Sequence, residues 1–203
     1  MDCNCPTPTS LTEIIAAACG VNLKQIQRLA FQRLGSQFDS ASNGILTLAA
    51  WQAFMTATDN TKIVVTPLIG ADPVIEAGEA IKNGGGDNST LNGVEEIDGV
   101  NPAEFSCIFK SLPSATEKSM KALTCEGQSL VVYFILQGGK IAVKQITADT
   151  VHQGFRIYAP FVSDRSNSGF GTKDTVTMDF SLEEGYSNDL VILTPEFNPL
   201  TEI

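Results

Sequence analysis

Apolar and polar residues alternate through Glu104–Ser111 (EFSCIFKS), which puts Phe105, Cys107 and Phe109 on one side and Ser106, Ile108 and Lys110 on the other. Period two over eight residues predicts a strand with one buried face. Ser129–Leu136 (SLVVYFIL) is apolar on both faces, so it predicts a central strand. A tight turn at Gln137–Lys140 leads into a further strand over Ile141–Ile146. Phe155–Val162, Thr175–Leu182 and Leu190–Leu193 read as strands too, separated by Gly, Ser, Asn and Asp loops. Lys24–Arg33 predicts the first strand. Lys62–Ile69 (KIVVTPLI) predicts another that Pro67 ends or confines to an edge, since proline donates nothing to a ladder.

Three segments carry helical spacing instead. Ser10 and Glu13 stand at capping-box distance ahead of Leu11, Ile14, Ile15 and Ala18, with Gly20 as the stop. Thr47 can cap a helix through LAAWQAFMTAT, in which Trp51, Phe54, Met55 and Thr58 share a face that reads as core packing. Pro113–Leu123 is the third, with Ser114 and Glu117 as a second capping box, Gly127 past the end, Met120 and Leu123 inward and Lys118 and Lys121 wet. A loop rich in Ser, Asn and Gly runs through 40–44. Several short strands with regular turns and few helices predict a mainly β chain, an antiparallel β-sandwich or barrel with flanking short α-helices. The expectation is a single domain over 1–203, with an N-terminal helical segment over about 1–22.

Between the apolar strands lies Lys82–Pro102 (KNGGGDNSTLNGVEEIDGVNP), a long loop arm of Gly, Asn and acids over about 82–102. Compact domains seldom carry about 15 structureless residues unless the loop binds something or reaches a neighbour. A β-rich chain with a reaching loop reads first as part of an assembly.

Composition narrows the field. The chain is 43% hydrophobic and 18% charged, with a formal net charge of −10. Two segments hold all of the excess: Asp72–Glu104 has eight acids and one base, and Asp174–Ile203 has seven acids and no base. Residues 105–173 carry eight bases against four acids. The bland reading is solvated loops and strand faces. The sharper one is an acidic surface that keeps a polyanion from sticking or meets a basic partner. Direct nucleic-acid binding is disfavoured, since phosphate affinity needs clustered Lys and Arg. No apolar run approaches the roughly 20 residues that cross a bilayer, so no membrane partner is expected. MDCNCPTPTSLTE lacks a basic segment and an apolar core, which predicts synthesis in a cytoplasm without secretion.

The search for catalytic chemistry finds little. His152 is the single histidine and reads as an exposed residue of a polar turn. Cys3-x-Cys5 has no second knuckle to complete a zinc site, while Cys19, Cys107 and Cys125 sit among apolar neighbours and read as small core residues. Asp164-x-Ser166-x-Ser168-Gly169 imitates the start of a calcium loop but has Thr175 at the twelfth position, where a bidentate Glu belongs. Gly84–Gly86 lacks the ending of a phosphate loop, and the sequon at Asn88–Thr90 is idle without secretion. Glu95, Glu96 and Asp98 read as solvated acids. No catalytic residue, metal or cofactor is expected, and an enzyme is the least supported class.

Three stretches resemble tail-tube (major tail) proteins of tailed bacteriophages, of the type found in phages of Bacteroidetes. They are CNCPTPTSL followed by a short helix and IQRLAFQR; LAAWQAFMTATDNTKIVVTPLI followed by the Gly/Asn arm; and the closing FSLEEGYSNDLVILTPEFNPL. The resemblance implies a β-sandwich with a flanking helix that forms hexameric rings stacked into a tube, through which DNA passes without specific binding. Other tail proteins would then be partners, and the virion the location. It further implies that the arm contacts a neighbouring ring, with Asn83, Gly84, Gly85, Gly86, Asp87, Asn88 and Asn92 as contact residues. An acidic lumen is implied as well, for which Glu95, Glu96, Asp98, Asp179, Glu183 and Glu184 are candidates. The helical region before the first sandwich strand is unusual for that family. Two alternatives stand beside it: a single-ring connector, tail-completion or baseplate protein, and a monomeric β-sandwich binding module.

Overall fold

Leu130–Leu136 has no wet face: all seven residues are buried, and the chain is organised around them. The computed structural model describes residues 22–23, 25–39, 44–86, 88–127, 129–147 and 150–203. The fold is mainly β, an antiparallel sandwich with two short helices. The N-terminal helix read at Ser10–Gly20, most of the 40–44 loop, and Cys3, Cys5 and Cys19 lie outside the described residues.

The strands in chain order are β1 (Ile26–Arg33), β2 (Phe38–Asp39), β3 (Val64–Val65), β4 (Ala71–Glu76), β5 (Ala80–Asn83), β6 (Glu96–Val100), β7 (Glu104–Lys110), β8 (Leu130–Leu136), β9 (Ile141–Thr147), β10 (Val151–Gln153), β11 (Phe155–Val162), β12 (Thr175–Leu182) and β13 (Leu190–Leu193). The helices are α1 (Leu48–Thr56) and α2 (Ser114–Ala122). In one layer β8 pairs with β1 and β9; β3 extends the β1 side, and β10 and β13 flank β9. The other layer runs β11-β12-β7-β4. Strand β11 belongs to both: Phe155 and Arg156 pair with β8, then the strand turns away to pair with β12 from Ile157. Its corner is a bulge between Tyr158 and Phe161, where Ala159 takes a φ of 48°.

Period two on β8 sorts its side chains between two cores. Leu130, Val132, Phe134 and Leu136 face the second layer and meet Leu29, Phe31, Phe105, Phe109, Met178 and Phe180. Phe105 stacks on Phe180 at 4.7 Å between ring centroids. Val131, Tyr133 and Ile135 point the other way, to Phe38, Ile63 and α1. The buried Tyr133 hydroxyl donates to Gln32 Oε1 at 2.8 Å, and Gln32 Nε2 donates to the Thr61 carbonyl at 2.6 Å, so this polar pair is satisfied inside. Trp51 packs against Phe38 (5.0 Å) and Tyr133 (5.5 Å) and donates its indole N–H to the Ile45 carbonyl.

Several expectations need correction. Thr47 does precede α1, but its hydroxyl donates to the Gly44 carbonyl at 3.0 Å instead of capping the helix. On α1's apolar stripe Thr58 is exposed, because the helix ends at Thr56. Pro113, not Ser114, is the N-cap of α2, and Glu117 turns sideways to cations, so no capping box forms. Cys125 is exposed because the chain past α2 continues as a 3₁₀ turn over Leu123–Glu126 at the surface. His152 is buried, not exposed: it lies on β10 between Phe38 of β2 and Gln145 of β9.

Removing the indole that closes the second core should be costly. Trp51→Ala is expected to lose about 3–5 kcal/mol of unfolding free energy. Urea denaturation followed by circular dichroism checks this, and a loss under about 1 kcal/mol would show that α1 contributes little to the fold.

Candidate functional site

The arm is not a structureless loop. Ala80 pairs with Val100, Ile81 with Gly99, Lys82 with Ile97 and Asn83 with Glu96, so β5 and β6 form a two-stranded ribbon separate from the sandwich sheets. Its root lies where β4 and β7 pair at Glu76 and Glu104. There the Asn101 amide donates to the Glu79 carbonyl at 2.9 Å. The strands approach so closely that a Cβ on Gly78 would stand 1.7 Å from the Asn101 oxygen, so only glycine fits.

The Gly/Asn composition is turn chemistry at the tip. Asn83 ends β5, and its side-chain oxygen accepts from the Gly84 amide at 2.9 Å. Gly84 and Gly85 take φ of 88° and 89°, Asn92 takes 60°, and the Gly85 amide reaches the Gly93 carbonyl at 3.2 Å. Thr90 donates its hydroxyl to the Val94 carbonyl at 2.5 Å. Gly86 and Asn88 are exposed at the tip, and Asp87 lies outside the described residues.

The ribbon's side chains are what single it out. Ile81, Leu91, Val94, Ile97 and Val100 are all exposed, Leu91 at 81% and Ile97 at 61%. Ala80 and Lys82 lie on one face of β5, so their partners Val100 and Ile97 share that face too. A two-stranded hairpin alone in water is marginal, and a cluster of exposed large apolar residues marks an interaction surface.

The acidic candidates divide by position. Glu95 accepts from Lys82 at 3.0 Å. Glu96 and Asp98 are exposed on β6 and make no ion pair among the described residues. Asp179 lies on the outer face of β12, opposite Ser106. Glu183, just past β12, is held by Lys144 at 2.7 Å, and Glu184 is exposed beside it. The Leu182 amide bonds the Ala103 carbonyl, so the end of β12 and the ribbon root lie at the same end of the second layer. The two acid-rich segments therefore meet there. Glu76 and Glu104 are direct cross-strand partners, an unfavourable juxtaposition for like charges. Beside them a cleft of about 300 Å³ is lined by Val74, Glu76, Glu104, Ala159, Asp179 and Ser181, without a base.

Elsewhere titratable groups are engaged in holding the fold. Glu117 accepts from Lys121 at 2.8 Å and Arg165 at 2.9 Å, and these bonds, Lys121's first, hold its carboxyl below the ordinary glutamate range. Lys121 also meets Asp164 at 2.5 Å, and Asn167 donates to Asp174 at 2.6 Å. The calcium-like stretch thus spends its acids on neighbouring donors. Among the described residues no group of His, Cys, Asp and Glu is arranged to hold a metal. Cys107 lies in the core between the layers, where burial pushes its thiol far above the ordinary range, so a thiolate there is disfavoured. No helix among the described residues is long and apolar enough to cross a membrane.

No protein-family model, no curated protein and no solved structure matches this chain.

Two outcomes follow from these placements. A folded carboxyl held below its unfolded value stabilises the fold above the unfolded pKa, and that contribution fades as pH falls through the folded one. Glu117→Gln should therefore unfold at lower urea than the parent at pH 7, and the gap should close well below pH of about 4. A gap constant over that range would sink the ion-pair account. In native alkylation with iodoacetamide followed by peptide mass spectrometry, Cys125 should label and Cys107 should stay protected until the chain unfolds.

Proposed function

We propose that the chain is a structural virion protein: a tail-tube subunit whose copies close into hexameric rings, stacked as a conduit for phage DNA. The observation that carries this reading is the ribbon, which leaves a well-buried sandwich with five large apolar side chains in water. Such a surface is a liability in a lone monomer and a joint in an assembly. The acidic ribbon root and β12 end suit a bore that repels phosphate and lets DNA slide. The resemblance of the N-terminal, middle and closing stretches to tail-tube proteins supplies the specific role. Its partners would be further copies of itself and other tail proteins, with DNA in the lumen.

Size-exclusion chromatography with light scattering, followed by negative-stain electron microscopy, tests this. Rings or tubes with a central hole are expected, and tubes in place of single rings separate a tail tube from a connector. Replacing residues 80–100 with a short Gly/Ser link should leave the unfolding free energy of the sandwich within about 0.5 kcal/mol while abolishing assembly. A parent chain that stays monomeric at every concentration would overturn the reading in favour of a binding module.

A further inference from the structure

Asparagine precedes glycine at Asn43, Asn83 and Asn92. In this dipeptide no Cβ shields the glycine nitrogen, so the amide can attack the carboxamide carbon of the residue before it. Asn43 lies outside the described residues, and the other two stand at the tip of the β5–β6 ribbon. Their amides point in different directions. The Gly84 amide donates to Asn83 Oδ1 at 2.9 Å. The attacking nitrogen thus rests against the side-chain carbonyl, and the carbon it must reach is one bond from the accepting oxygen. The Gly93 amide donates instead to the Thr90 carbonyl at 3.1 Å. Asn92 takes φ 60° and ψ 20°, which sets the Gly93 nitrogen on the far side of the Cα–C bond from Cβ. Ring closure at Asn92 therefore needs a backbone flip. At Gly84 a Cβ would stand 2.4 Å from Thr90 Oγ1, and φ is 88°, so the fold itself demands glycine after Asn83. Asn83 is exposed, and a ribbon that pairs only with itself opens more readily than the sandwich.

We propose that Asn83 is a site of spontaneous covalent modification, converted through a cyclic imide to an aspartyl or isoaspartyl residue. The Gly84 nitrogen gives its proton to water and bonds to Asn83 Cγ. The Cγ–Nδ2 bond breaks, and Nδ2 leaves as ammonia with a proton from water. Water then adds to either imide carbonyl and opens the ring, with no change of oxidation state. Position decides the consequence. Asn83 is the cross-strand partner of Glu96, so conversion sets two carboxylates opposite each other, an unfavourable pair. The isoaspartyl product also adds a methylene to the backbone where β5 enters the tip. Modification therefore loosens the ribbon from its tip and leaves the sandwich intact. This inference stands apart from the assembly reading and holds for a single copy.

The test ages the full chain in dilute, mildly alkaline buffer, both native and in urea, and follows residues 83 and 92 by peptide mass spectrometry. In the native chain Asn83 is expected to convert at least about tenfold faster than Asn92. In urea the two rates should converge, because both are then plain Asn-Gly pairs. Equal native rates, faster conversion at Asn92, or protection of both in the native chain would overturn the proposal. The consequence is read from Asn83→Asp, which supplies the charge without the imide step. The Gly85 amide bonds the Gly93 carbonyl across the tip at 3.2 Å. Its hydrogen exchange should quicken by about threefold in the variant, while the amides of β8 stay unchanged. High salt should shrink that difference. Exchange at Gly85 that matches the parent would overturn the loosening.

Discussion

Burial of β8 on both faces is the constraint from which the rest of the architecture follows. A strand without a wet side needs a layer on each face. The chain supplies the second sheet to one face and α1 with Phe38 to the other. Both edges of β8 must be paired as well, since its amides have no water to turn to. Strand β1 takes one edge, while β9 and the start of β11 divide the other. That division is why β11 changes layers: after two residues against β8 its remaining length pairs with β12 and carries the chain into the second sheet. The sandwich and its corner are one consequence of a single apolar heptapeptide.

Against that interior the ribbon is an exception on every count. It pairs only with itself, touches neither core, and keeps Ile81, Leu91, Val94, Ile97 and Val100 in water. Its root also keeps two glutamates directly opposed. Neither feature helps a lone chain fold, and both cost something in isolation. Features that cost stability in one copy and serve no local packing are the ones a partner surface can use.

Much of the sandwich was legible in the sequence because its strands are long and strongly patterned. Alternation in Glu104–Ser111 placed Phe105, Cys107 and Phe109 inside, and unbroken apolarity in Ser129–Leu136 placed that strand centrally. What stayed hidden had no pattern of its own. Strand β4 (ADPVIE) contains an aspartate, a proline and a glutamate, and is a strand because β7 offers it a ladder; its bulge, with Asp72 at a φ of 50°, absorbs the proline. Strand β10 is three residues, and His152 is buried through its neighbours β2 and β9 rather than through its own polarity. The arm misled in an instructive way: Gly and Asn were read as absence of structure, whereas they supply the left-handed positions of a defined tip.

The same arm shows why an exposed ribbon is harder to read than a core. Burial within one chain leaves a period in the sequence, since each strand repeats its inward side every second residue. The ribbon packs on neither core and has no such requirement: its large apolar residues from Leu91 onward stand at Leu91, Val94, Ile97 and Val100, every third position, a spacing that matches neither a strand face nor a helix face. Charge was the better guide. The excess acid lies in two stretches far apart in sequence, and antiparallel pairing of β7 with β4 and β12 brings Glu76, Glu104 and Glu183 to one end. Lys110, paired opposite Thr175, and Lys173 lie at the other end of the same strands, while Lys144 stays beside Glu183. A polarity that is invisible residue by residue thus arises from strand direction alone.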